Sequence, residues 1–137
     1  MKRDMERPPR YFPLPNEIFS LGLNAPEIAV LAYLMYREDR RTFTCHPSYQ
    51  TIGRALKLSK NTVAKYVRSL EEKRLIRTQY TTFMKDGKCR NGNLEYRILP
   101  VREAAALHMD RQMRKLQAEA QVRKNKKKLE QYDRRHK

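Results

Sequence analysis

The sequence predicts a mainly helical fold with a small β-sheet and a long terminal helix. Three observations carry that expectation. Two amphipathic segments, 49–56 and 59–73, follow one another across a short break at Lys57-Leu58. β-Prone residues then flank Asp86-Gly87, a dipeptide suited to a tight hairpin turn. From Val101 onward the chain is rich in Ala, Gln, Arg and Lys and free of Gly and Pro, the composition of a continuous helix.

Residues 1–12 carry charges and a Pro-Pro pair, and they read as a flexible leader. Tyr11, Phe12 and Leu14, held extended by Pro13 and Pro15, can lie over a domain surface, and Asn16 is placed to cap a short turn through Phe19. The first helix begins at Asn24. Asn24-Ala25-Pro26-Glu27 combines a cap residue, an early proline and a glutamate three positions on, as in a capping box. Ile28, Leu31, Ala32 and Met35 recur at helical spacing, with Val30 and Leu34 widening the stripe. Thr42–Cys45 alternates as a short strand would, and His46-Pro47-Ser48 halts it.

Ser48 can cap the helix from Tyr49 to Leu56, whose Ile52, Ala55 and Leu56 should face inward, with Gly53 permitting a close approach. Leu58 fills the turn, and Ser59 caps the next helix with Val63, Val67 and Leu70 as its inner stripe. Leu75-Ile76 opens a strand expected to reach about Met84. Asn91-Gly92 is a second turn signal, and Leu94, Tyr96 and Ile98 alternate on the returning strand. Helix, strand, helix, turn, helix and hairpin in this order make a winged helix-turn-helix over residues 13–100. Residues 101–137 form a basic C-terminal helix.

The charge points to a polyanionic partner. The 137 residues carry 31 Lys and Arg against 15 Asp and Glu, a formal net charge of +16. The excess is shared: residues 25–100 hold 15 basic against 7 acidic side chains, and 101–137 hold 12 against 5. A basic domain as well as a basic tail favours nucleic acid over a merely solvated end. Cys45 and Cys89 lack Cys or His neighbours at ligand spacing, so no metal site and no cofactor are expected. Both read as reduced cysteines in a cytoplasmic protein, with no signal peptide or membrane anchor in view. No Gly-rich phosphate loop and no nucleophile with a placed base is legible, which argues against an enzyme.

The second helix of the pair, capped by Ser59, turns Lys60, Asn61, Ala64, Lys65, Arg68 and Ser69 away from its apolar stripe, with Thr62 at one margin. Asn61 suits an adenine edge, Lys65 and Arg68 suit guanine N7 and O6, and Thr62 offers a hydroxyl and a methyl group. The Ser59 hydroxyl and the first free amides suit a phosphate oxygen. Lys85, Lys88 and Arg90 cluster near the hairpin tip, within reach of a flanking phosphate or the minor groove, and Tyr49 can meet the backbone. Any solvated helix shows a polar outer face. The inward residues Ile52, Leu58 and Val63 give this one its weight.

Leu14-Pro15-Asn16-Glu17-Ile18-Phe19, Cys45-His46-Pro47-Ser48-Tyr49, Thr51-Ile52-Gly53 and Ser59-Lys60-Asn61-Thr62-Val63 resemble the winged-helix group of DNA-binding proteins. Over Phe12–Pro100 the chain is similar to small helix-turn-helix proteins of Gram-positive bacteria, often carried by plasmids and conjugative elements. The resemblance implies sequence-specific binding of double-stranded DNA, by a transcriptional regulator or by the origin-binding module of a replication initiator. A winged-helix protein-interaction module is a further alternative. Arg74 stands where such proteins often have a glycine, which implies a left-handed residue there or a different helix end. Met109, Met113, Leu116 and Ala120 keep four-three-four spacing on the terminal helix, a seam that could make a homodimer.

Overall fold

The computed structural model describes residues 10–136. Its first regular element is a 3₁₀ turn, Asn16–Ser20, which sinks Ile18 completely. Pro15 precedes it without a side-chain cap, so Asn16 lies inside the turn and does not cap it. Ahead of it Phe12 reaches Tyr36, ring centroids 6.2 Å apart, and Leu14 packs on the core.

Helix α1 spans Ala25–Arg37 and opens on the expected capping box. The Glu27 amide donates to Asn24 Oδ1 at 2.9 Å and the Asn24 amide to Glu27 Oε1 at 3.1 Å. The centre of its buried face is Val30, Leu31 and Leu34, while Ile28, Ala32 and Met35 are half-buried. The stripe is therefore rotated toward the residues that had only seemed to widen it, because α1 meets helices on one flank and the sheet on the other.

Strand β1 is only Thr44–Cys45. Phe43 has a φ of 58° and its amide donates to the Asp39 carbonyl at 2.7 Å, so the expected four-residue strand begins as a turn. Helix α2, Tyr49–Leu56, is capped by Ser48 Oγ, which accepts from the Thr51 amide at 3.0 Å. Ile52 is fully buried and Leu56 half-buried, but Ala55 is exposed, because α2 packs through a narrow face. Lys57 takes a left-handed conformation, and the Leu58 amide donates to the Gly53 carbonyl at 2.9 Å. A Cβ on Gly53 would collide with the Leu58 carbonyl oxygen, so the turn closes only over glycine.

Helix α3, Lys60–Glu72, buries Val63, Val67 and Leu70 as expected. Its end is a Schellman arrangement: the Leu75 amide donates to the Leu70 carbonyl, and Arg74 has a φ of 60°. Strands β2 (Ile76–Gln79) and β5 (Glu95–Ile98) then complete an antiparallel sheet in the order β1-β5-β2. Tyr96, paired with Thr78 and Cys45, is wholly inside.

The hairpin is not one uninterrupted pair. Gln79 faces Glu95 and Thr82 faces Asn91, which leaves Tyr80-Thr81 opposite Gly92-Asn93-Leu94. One extra residue on the returning side makes a bulge, so Asn91-Gly92 marks a bend rather than a second turn. Beyond it β3 (Thr82–Lys85) and β4 (Lys88–Asn91) form a separate ribbon closed by Asp86-Gly87, both at positive φ.

Helix α4 runs from Val101 to Arg135, 35 residues, or about 52 Å at 1.5 Å per residue. Its first turns dock on the domain. Ala104 is buried, and His108 lies against Gly22, where a Cβ would come within 3.2 Å of the imidazole. Past His108 the large apolar side chains of α4 are exposed. No helix among the described residues is long and apolar enough to cross a membrane.

Candidate nucleic-acid interface

Two carboxylates fix the orientation of α3. On one flank Glu27 of α1 is buried, and its oxygens accept from Ser69 Oγ at 2.6 Å and from Lys73 Nζ at 2.8 and 3.0 Å. Burial alone would raise this carboxyl. The hydrogen bonds from Lys73, Ser69 and the Asn24 amide, with the Lys73 charge, outweigh it and hold the group below its ordinary value. On the other flank Glu71 Oε1 accepts from the Thr78 amide at 3.0 Å and its hydroxyl at 2.8 Å, tying α3 to the base of the hairpin. These acidic residues therefore join elements distant in sequence.

With its inner face fixed, α3 presents Asn61, Lys65 and Arg68 in line on the opposite side, all exposed. Glu72 continues the row, so the anion-attracting part is the N-terminal two to three turns. Lys60 is exposed at the first position. Ser59 and Thr62 are differently placed. Ser59 Oγ accepts from the Thr62 amide at 3.2 Å and shares a 2.7 Å hydrogen bond with the Thr62 hydroxyl. Both hydroxyls thus serve the helix cap, and Thr62 is half-buried. Lys65 Nζ lies 5.6 Å from the Tyr66 ring centroid, within cation–π range.

Tyr49 is half-buried at the start of α2. Burial first, then Tyr80, raise its phenol above the ordinary value, with Arg68 opposing and Glu71 adding to the rise. The ring packs against the hydrophobic core. Tyr80 joins this surface without having been expected there. It occupies the bulge between β2 and β3 and is 88% exposed. Only the interruption of the hairpin gives it that position, and strand alternation carries no signal of it.

The ribbon sorts its own side chains. Lys85 pairs with Lys88 and Phe83 with Arg90, so Lys85, Lys88 and Arg90 share one face. Met84 and Cys89 occupy the other. All are exposed. No group of three or more His, Cys, Asp or Glu placed to hold a metal occurs among the described residues.

A helix pair with a tight turn, a three-stranded sheet and a projecting ribbon together define a winged helix-turn-helix protein. Residues 21–76 match the family described as "Helix-turn-helix domain". Among solved structures the fold is shared with a possible transcriptional regulator from Methanosarcina mazei Go1, at 19% identity and a TM-score of 0.50, over 75% of this chain and 81% of that one. S. aureus MepR in its DNA complex aligns at 20% identity and a TM-score of 0.40, over 82% of this chain and 86% of that one. A MepR mutant gives 20% and 0.41, over 82% and 80%. No curated protein matches the chain.

Proposed function

We propose that this protein binds double-stranded DNA sequence-specifically and acts as a transcriptional regulator. The observation that carries the reading is the exposed row Asn61, Lys65 and Arg68 on a helix whose other face is fixed by the core and by Glu27 and Glu71. Such a helix can enter a major groove without rearranging, so the base-reading groups are already oriented. Lys60 and the N-terminal amides of α3 meet phosphate. The Ser59 and Thr62 hydroxyls support that end of the helix, and Thr62 keeps its methyl for a thymine. The ribbon sets Lys85, Lys88 and Arg90 against flanking phosphates or the minor groove, and Tyr49 adds a backbone contact.

In this reading residues 13–100 are the DNA-binding domain, α4 is a basic extension that pairs two copies, and the protein works in the cytoplasm on the nucleoid. Specific occupancy of a promoter is sufficient for regulation. Origin binding would use the same surface, and the helix-turn-helix match lends it no support of its own.

The test compares duplex DNA, single strands and RNA in a mobility-shift assay, using duplexes selected from a random pool. Lys65→Ala and Arg68→Ala should each weaken binding to the selected site by about tenfold or more. Unchanged affinity in both variants would remove α3 from the interface. Equal affinity for single strands would overturn the duplex reading and favour a protein-interaction or RNA role.

A further inference from the structure

Helix α4 leaves the domain carrying two apolar rows on opposite sides. Met109, Met113 and Leu116 form one, and Val122, Leu129 and Tyr132 form the other, all more than half exposed. The first row, which Ala120 closes, stops at Arg123 and Lys127, whereas the second stays uncharged over the longer run Ala118–Tyr132. The second belongs to a register that spans the helix. Ala118, Val122, Asn125, Leu129 and Tyr132 are spaced four, three, four and three, and the same heptad extended backwards passes Lys115 and Arg111 before it meets His108, Ala104 and Val101. Those last three are the side chains that dock on the domain. The domain thus covers the apolar start of this register, Arg111 and Lys115 interrupt it, and the apolar part from Ala118 stays open.

We infer that the open part, Ala118–Tyr132, pairs with a second copy of this chain as a parallel, in-register two-stranded coiled coil. The inference rests on the dimer reading above and moves its seam to the other side of the helix. Flanking charge selects both the partner and the direction. In a parallel pair Arg114 meets the partner's Glu119, Lys128 meets the partner's Asp133, and Gln121 stands beside the partner's Lys126. In an antiparallel pair the column Arg114, Gln121, Lys128 and Arg135 would face itself, basic against basic. Asn125 falls within the seam, where its amide now accepts from Gln121 Nε2 at 3.0 Å. It stands at a d position, where its amide can hydrogen-bond to its own copy and where a shift of register would bury it unpaired. A lipid surface is the poorer occupant, since the stripe is a narrow seam and not the broad apolar face that membranes hold. The pair would place both winged domains at one end, related by a twofold axis, as inverted half-sites require.

The experiment uses the full chain in a Cys89→Ser background at about 0.15 M salt. Ala118→Cys should form a disulfide-linked dimer on mild oxidation, because only a parallel in-register pair brings residue 118 to its own copy. Met113→Cys, on the other side, should not. In sedimentation, Lys128→Glu should weaken self-association about three- to tenfold, and adding Asp133→Lys should restore it. A dimer that cross-links through Met113→Cys but not Ala118→Cys overturns this face while leaving a dimer standing. A dimer lacking both cross-links overturns the parallel register. A monomer at every concentration, with or without selected duplex, overturns the dimer itself. A chain that stays monomeric yet floats with phosphatidylcholine–phosphatidylserine vesicles assigns the stripe to lipid and ends the proposal.

Discussion

Lys73 donates to both carboxylate oxygens of Glu27, at 2.8 and 3.0 Å, joining the end of α3 to the first turn of α1. The carboxylate also accepts from the Asn24 amide and the Ser69 hydroxyl, so one buried side chain caps a helix and anchors its neighbour. Glu27→Gln keeps the shape and a capping oxygen but loses the charge, leaving the part-exposed Lys73 ammonium without its partner. Stability at neutral pH should fall by about 1–3 kcal/mol in urea denaturation.

The same pair sets a pH dependence. The folded Glu27 carboxyl is lowered from 4.5, so its contribution is fully present above that value and disappears as pH falls through the lower, folded one. The stability gap between wild type and Glu27→Gln should therefore be widest near neutrality and shrink below about pH 4. A gap that stays constant down to about pH 2.5 would show that the charge contributes nothing.

Tyr96 is fully buried, and its hydroxyl has no hydrogen-bond partner among the described residues. Burial pushes the phenol well above its ordinary range, with Tyr49 and Cys45 adding to the rise. Removing an unsatisfied group should cost nothing, so Tyr96→Phe is expected to be neutral or to stabilise by about 1 kcal/mol. A clear loss in thermal denaturation would reveal a partner for the hydroxyl in solution.

Arg74 sits at φ 60° where the helix end needs a left-handed residue. Arg74→Gly relieves about 1–2 kcal/mol of that strain and gives back about 0.4–1 kcal/mol because a glycine loses more freedom on folding, for a net gain of about 0.5–1 kcal/mol. Because the Leu75–Leu70 bond already forms, DNA affinity should change no more than loss of one exposed charge allows.

The ribbon cations should act on affinity rather than on choice of sequence. Replacing Lys85, Lys88 and Arg90 with Ala should weaken selected and random duplexes alike. For every phosphate no longer neutralised, the slope of log affinity against log salt should flatten by about 0.9. Asn61→Ala should instead narrow the preference for the selected site, by about 1–3 kcal/mol.

The thiols should fall into two classes. Cys45 is buried, and its thiol is pushed up to about 11 by burial and by Glu38, against Arg37. Cys89 is exposed on the ribbon. One thiol per native chain should react promptly with a disulfide reagent at about pH 8, and the second only after denaturation.

Local chemistry made much of this protein legible in its sequence. Asn24, Ser48 and Ser59 cap their helices because a short side-chain oxygen followed by a free amide needs nothing distant. Val63, Val67 and Leu70 declared the inner face of α3, and the outward row of Asn61, Lys65 and Arg68 followed from helical geometry. Asp86-Gly87 fixed the ribbon's turn, while at Arg74 the left-handed residue and a different helix end both stayed open until the fold chose the first. What depended on contacts between distant segments was decided only by the folded chain. Which side of α1 is deepest, the Glu27–Lys73 and Glu71–Thr78 ties that aim α3, and the bulge that exposes Tyr80 all require partners set by packing. Periodicity reports which residues share a face of one element, whereas the angle between elements is a property of the assembled core.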